Sequence, residues 1–181
     1  IDFFPHMDLF TRTIKGWESG GHIGAFAIVG DFGFGKTTWL NEARRRADIG
    51  ESTFLALRER ATTRREALDF LATGLAAPAE AGASIESLSS WLNSGEKRLV
   101  IVDDLHFWFL RSIDALEALH TFNTLVELTG ERVFWLCSFS NYPYRFYSWA
   151  TRDNTVFRTV VTMSAWPEET IETLLRIRTG L

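Results

Sequence analysis

Ala27-Ile28-Val29-Gly30-Asp31-Phe32-Gly33-Phe34-Gly35-Lys36-Thr37-Thr38 is the stretch that decides the fold. From Gly30 onward it fits the pattern G-x-x-x-x-G-K-[ST] at every fixed position. A β-branched run leads in and a helical pattern leads out, which is the strand, loop and helix order this loop needs. The residue types follow from the chemistry of a polyphosphate. Glycines let successive backbone N–H groups turn inward, the helix N-terminus adds partial positive charge, and a lysine reaches the β- and γ-phosphates. Gly30, Asp31, Phe32, Gly33, Phe34, Gly35, Lys36, Thr37 and Thr38 are therefore the expected nucleotide-binding residues, with the Thr37 hydroxyl on Mg2+. Only three lysines stand against sixteen arginines in the chain. One of them is Lys36, where a compact charge suits the pocket better than a planar guanidinium. The dinucleotide fingerprint is excluded, because Thr38 stands where its third glycine belongs.

Outward from this loop, short apolar β-rich runs alternate with longer helical patterns, as in βαβ units with a parallel sheet. Five strands are expected: Ala25 to Val29, Thr53 to Leu57, Leu99 to Val102, Val133 to Cys137 and Val156 to Thr162. Three are nearly continuous apolar runs, which suits strands covered on both faces. The spacing predicts helices over Lys36 to Ala47, Glu66 to Leu75 and Ile85 to Leu92, and a fourth along Ile113, Leu116, Leu119, Phe122 and Val126 that stops at Gly130. A last helix begins at Pro167, carries Glu168 and Glu169 in its first turn and ends at Gly180. The small-residue run Ala76 to Ala83 reads as an inter-helix loop. The expected architecture is a three-layer αβα sandwich.

Two further stations bear on chemistry. Arg98-Leu99-Val100-Ile101-Val102-Asp103-Asp104 is a buried strand ending in two carboxylates. At the C-terminal edge of a parallel strand beside the phosphate loop, Asp103 can hold Mg2+ through water and Asp104 can orient or deprotonate the attacking water; an acidic loop after a buried strand is the competing reading. The strand Val133 to Cys137 runs into Ser138-Phe139-Ser140-Asn141-Tyr142-Pro143, which places polar side chains at the tip of a neighbouring strand. Ser, Asn and Pro also make turns, and a turn is the competing reading of that segment.

Together the phosphate loop, the acidic strand end and the polar strand end resemble the nucleotide-binding core of the AAA+ ATPases and their STAND relatives, a group that includes Orc/Cdc6-like and NACHT-like proteins. The resemblance spans Ala25 to Ile177. It implies a P-loop NTPase with a five-stranded sheet in the order 5-1-4-3-2, Mg-ATP or ADP as ligand, and ATP hydrolysis. It also implies that Asn141, favoured over Ser140, acts as a sensor of the γ-phosphate. In such families an arginine from just before the fifth strand acts as a finger on a neighbouring subunit, and Arg152 and Arg158 stand in that neighbourhood. Asp at 104, where many relatives carry Glu, admits a slow or non-hydrolysing switch in regulation or defence. A DNA loader or transposition helper is a third reading, by family analogy alone. In such relatives a helical lid follows, so residues 1–181 are expected to be one core domain within a longer protein.

The composition agrees with a folded core: 46% hydrophobic and 23% charged residues lie near globular averages. A formal charge of −4 speaks against gripping nucleic acid with the whole surface, which leaves nucleic acid as a lesser partner than ATP, a second copy, flanking domains or a protein. The arginines from Arg44 to Arg65 are interleaved with Glu42, Asp48, Glu51 and Glu59, and read as paired surface helices. The lone Cys137 sits among apolar residues, which rules out a disulfide framework and suggests a reducing, cytoplasmic setting. No apolar run has the length of a membrane span. His6, His22, His106 and His120 show no metal-ligand spacing. The run Leu105-His106-Phe107-Trp108-Phe109-Leu110 reads as core packing or as an apolar patch that reports the nucleotide state to a partner.

Overall fold

The structure, a computed structural model, describes residues 4–58, 60–108, 115–151 and 155–179. Helices α1 (Met7–Glu18), α2 (Lys36–Ala47), α3 (Arg64–Gly74), α4 (Ile85–Ser94), α5 (Ala115–Thr129), α6 (Asn141–Ala150) and α7 (Glu168–Thr179) surround strands β1 (Ala25–Val29), β2 (Glu51–Ala56), β3 (Arg98–Asp103), β4 (Val133–Phe139) and β5 (Thr159–Thr162). All strand pairs are parallel and the sheet order is β2-β3-β4-β1-β5. This is the expected P-loop NTPase order. Each crossover carries at least one helix, as parallel pairing requires.

Strand alternation divides the core in two. Ala25, Ala27 and Val29 of β1 join Val100, Val102, Trp135 and Cys137 under the face covered by α3, α4 and α5. Phe26 and Ile28 join Leu99, Ile101, Phe134 and Leu136 under α1 and α2. Strands β1, β3 and β4 are buried at every position, which explains why their sequences are continuous apolar runs.

Two helices go beyond the sequence reading. Helix α1 buries Met7, Phe10, Ile14 and Trp17, a helical stripe in a segment without a strong N-cap signal. Helix α6 begins at Asn141, within the segment whose Ser, Asn and Pro also read as a turn. Pro143 is its third residue, where a missing N–H costs no intrahelical bond. The fifth strand is shorter than expected because Val156 and Phe157 leave the sheet and pack into the core beside Tyr147. Leu105–Trp108 forms a 3-10 turn with Leu105 and Trp108 buried, so the core-packing reading holds for those two residues. Among the described residues no helix is long and apolar enough to cross a membrane.

Phe10 anchors α1 by edge contacts to Phe26 at 5.7 Å, Trp39 at 5.6 Å and Phe134 at 5.9 Å. Phe10→Ala should cost about 3–5 kcal/mol, lowering the melting temperature by roughly 6–20 °C for a domain of this size. Leu128→Ala on an exposed position should change it by roughly 2 °C or less. Calorimetry on both variants checks this, and equal melting of Phe10→Ala and wild type contradicts the packing role.

Candidate functional site

The phosphate loop begins where β1 ends. Gly30 N–H donates to Phe139 O at 3.1 Å, and a Cβ on Gly30 would lie 3.0 Å from Met163 Cβ, so a side chain there would crowd Met163. Gly33 and Gly35 have φ of 83° and 82°, the left-handed region that glycine adopts without strain. Asp31, Phe32 and Gly33 are exposed at the loop crest, Phe32 at 98%. Phe34 tucks back against the core under α1 and α2. Gly35 caps α2. Lys36 follows, buried, and its ammonium donates to Gly30 O at 2.8 Å and Asp31 O at 3.1 Å. Thr37 and Thr38 are exposed on the first turn of α2.

Strand register brings the acidic station to this loop. Val102 pairs with Cys137, and Ile28 with Ser138, which sets Asp103 beside Ser138 at the C-terminal edge. Both have the parity of the residues facing α1 and α2, so their side chains meet the start of α2. Thr37 Oγ1 donates to Asp103 Oδ2 at 2.7 Å, and Ser138 Oγ donates to Asp103 Oδ1. The Asp103 carboxylate, 5% exposed, is thus satisfied at both oxygens, as a buried carboxylate must be. The Asp104 backbone then turns into the left-handed region with φ of 58°, and its N–H donates to Ser138 Oγ at 2.8 Å. Burial and the neighbouring Asp103 charge raise the Asp104 pKa above the usual aspartate value, with Lys36 opposing.

Asn141 is half-buried at the first position of α6 and lines a cavity of about 400 Å3 with Asp31, Arg145 and Thr162. It therefore shares a cleft with the phosphate loop. Arg158 does not. It is exposed and precedes Thr159, the partner of Phe26, which puts it at the end of β5 away from the chain's own loop. Arg152 lies outside the described residues.

The sequence reading missed several neighbours of the site. Ser138 was legible only as part of a polar strand end, although it contacts both acidic residues. Trp166 packs on Gly35, whose added Cβ would sit 3.5 Å from the indole, and its buried ring nitrogen has no hydrogen-bond partner among the described residues. His106 carries no ligand spacing, yet its ring lies 3.9 Å from Asp104 Oδ1 and within 3.4 Å of Ser140. The signal was its place two residues after the acidic pair.

The donor set suits Mg2+. Thr37 and Asp103 present hard oxygen atoms at one point, and among the described residues no three His, Cys, Asp or Glu side chains gather as a metal cage. An ion held by one or two protein oxygens, with phosphates and waters completing its shell, is how Mg2+ is usually bound.

A family profile described as "AAA domain" matches residues 21–137. A comparison with curated proteins finds no match. Among solved structures, the ORC2 protein of Aeropyrum pernix in its ADP form is 16% identical with a TM-score of 0.72, covering 99% of this chain and 54% of that one. The Aeropyrum pernix ORC1 protein in complex with DNA is 14% identical with a TM-score of 0.67, over 99% and 50%. AMPPCP-bound DnaA of Aquifex aeolicus is 18% identical with a TM-score of 0.53, over 100% and 54%. This chain spans about half the length of those structures. At such identities the likeness speaks to the fold, which is that of the Orc/Cdc6 AAA+ domains.

Burial and the Lys36 charge lower the His106 pKa from 6.5 to about 4, against a smaller opposing effect of Asp103. The unfolded chain takes up this proton near pH 6.5 and the folded one only near pH 4, so stability falls as pH drops through that window. Urea unfolding of wild type and His106→Gln should therefore diverge below pH 6.5, with wild type losing on the order of 3 kcal/mol more by pH 4. A constant difference between pH 4 and 7 contradicts the buried neutral ring.

Proposed function

The chain belongs to the AAA domain family of P-loop ATPases, and on that premise we propose that it binds Mg-ATP at the Lys36–Asp103 cleft and hydrolyses it. The observation that carries this reading is the 2.7 Å contact between Thr37 Oγ1 and Asp103 Oδ2, which joins the phosphate loop to the acidic strand end across 66 residues. In this reading the backbone N–H groups of Gly33 to Thr38 cradle the phosphates and Lys36 exchanges its carbonyl partners for the β- and γ-phosphates. Thr37 and Asp103 would hold Mg2+, which when bound offsets charge on the β- and γ-phosphates. Asp104 positions the attacking water and accepts its proton, a task favoured by its raised pKa. Asn141 contacts the γ-phosphate from the α6 side. Arg158, remote from its own loop, serves a neighbouring copy.

Nucleotide state would then be coupled to assembly or to a protein partner. DNA is a further candidate partner, since the solved ORC1 relative is bound to it; weak, strongly salt-dependent binding would be the expected form for a chain of net negative charge. A slow switch is the second reading. It is favoured by Asp104, whose short side chain hangs on a left-handed backbone half-buried beside Ser138 and reaches less far than Glu.

Mg-ATP at a hundred times its Kd should stabilise the protein by about 2.7 kcal/mol, and Lys36→Ala should abolish that shift in a thermal melt. An equal shift in the variant contradicts the site. In single-turnover assays Asp104→Asn should slow phosphate release by roughly a hundredfold or more while leaving the ATP Kd within about threefold. No release from wild type would favour the switch over the ATPase.

A further inference from the structure

His106 takes no part in the cycle just described, yet it is buried at the centre of it. It sits in the 3-10 turn that follows the acidic pair, 7% exposed, with its ring stacked on Phe107 at 5.2 Å. Nδ1 lies 3.4 Å from the Ser140 backbone nitrogen and Nε2 lies 3.3 Å from Ser140 Oγ. A backbone N–H only donates, so Nδ1 accepts, and the proton of the neutral ring is on Nε2, which donates to the hydroxyl. Both contacts are long. They are nonetheless aimed at a single residue from a side chain held by burial and stacking.

Ser140 is the N-cap of α6, and a serine there usually accepts from the N–H groups of the first helical turn. Here its side chain makes no such cap bond. Its hydroxyl is turned to His106, while its carbonyl still accepts from Tyr144 N–H at 3.0 Å. The start of α6, and with it Asn141, is therefore oriented from the β3 side of the cleft rather than by a local cap. Asp104 Oδ1, at 3.9 Å from Nδ1, is too far to compete for that nitrogen.

We propose that His106 is a positioning residue: it clamps the β4–α6 turn to the acidic end of β3 and so sets Asn141 for the γ-phosphate, giving the site its preference for ATP over ADP. This rests on the reading of Asn141 and of the cleft as a nucleotide site. Movement of the turn without the clamp would leave the phosphate loop, and hence ADP binding, intact. The ring is neutral near pH 7, since burial and Lys36 depress its pKa, so one of its nitrogens is free to accept, as the Ser140 N–H requires.

The test compares His106→Phe, which keeps the stacking ring and loses both polar contacts, with His106→Gln, whose amide presents an acceptor and a donor at similar spacing. Calorimetric titration with Mg-ATP and with Mg-ADP gives the ratio of the two Kd values, and single turnover gives the hydrolysis rate. His106→Phe should keep the ADP Kd within about twofold while the ATP preference and the rate each fall roughly tenfold, and His106→Gln should recover both to within about threefold. Should His106→Phe not melt cooperatively, Ser140→Ala replaces it, with the same expected direction. An unchanged ATP to ADP ratio, an equal loss for both nucleotides, or a Gln variant no better than Phe overturns the clamp. Wild type that binds both nucleotides equally overturns the clamp alone; wild type that binds neither overturns the nucleotide site as well.

Discussion

A buried carboxylate, Asp103, held by two hydroxyl groups from different parts of the chain is the constraint on which the rest of the structure depends. An ionised carboxylate out of water is costly unless its oxygens are satisfied. Asp103 meets that condition through Thr37 on one side and Ser138 on the other. Ser138 is available because β3 lies next to β4, and Thr37 because β4 lies next to β1 and the loop after β1 turns directly into α2. The order β2-β3-β4-β1-β5 is thus an arrangement that lets the acidic strand end be buried, and it brings that end to the start of α2 and to Lys36. Fold and site share one solution.

The phosphate loop, the central apolar strands and most helices were legible because each carries a local signal. The glycine pattern at Gly30 to Thr38 demands particular backbone angles, and the runs in β1, β3 and β4 are apolar on both faces because helices cover both. The place of Asp103 was legible for a related reason, since it ends an apolar run whose parallel pairing sets its C-terminal edge beside the phosphate loop. The missed parts depend on tertiary context. Helix α1 is defined by its burial against Phe26, Trp39 and Phe134, while its sequence lacks a marked start. Helix α6 hides behind a turn-like Ser-Asn-Tyr-Pro because Pro143 is harmless in a first helical turn. Ser138 and His106 owe their places to strand register and to a 3-10 turn, neither of which one-dimensional spacing reveals.

Asp104 is where structure and reactivity pull in different directions. Burial and the Asp103 charge raise the pKa of its half-buried carboxylate, which favours a stronger proton acceptor. Its short side chain limits how far that acceptor reaches. In the proposed mechanism the opposite wall of the cleft is the start of α6. That wall is anchored through Ser140 and His106 to the same 3-10 turn that Asp104 opens. The acidic pair and the α6 terminus are thus linked through His106 and Ser140.

The junction between Thr37 and Asp103 is tested most directly by a double-mutant cycle on Mg-ATP affinity, using Thr37→Val, Asp103→Asn and the double variant. If both oxygens serve one metal and phosphate site, the double variant should bind better than the product of the two single losses implies, by about 1 kcal/mol or more of coupling energy. Strictly additive losses would mean that the two residues act on the nucleotide independently, and would contradict a shared site.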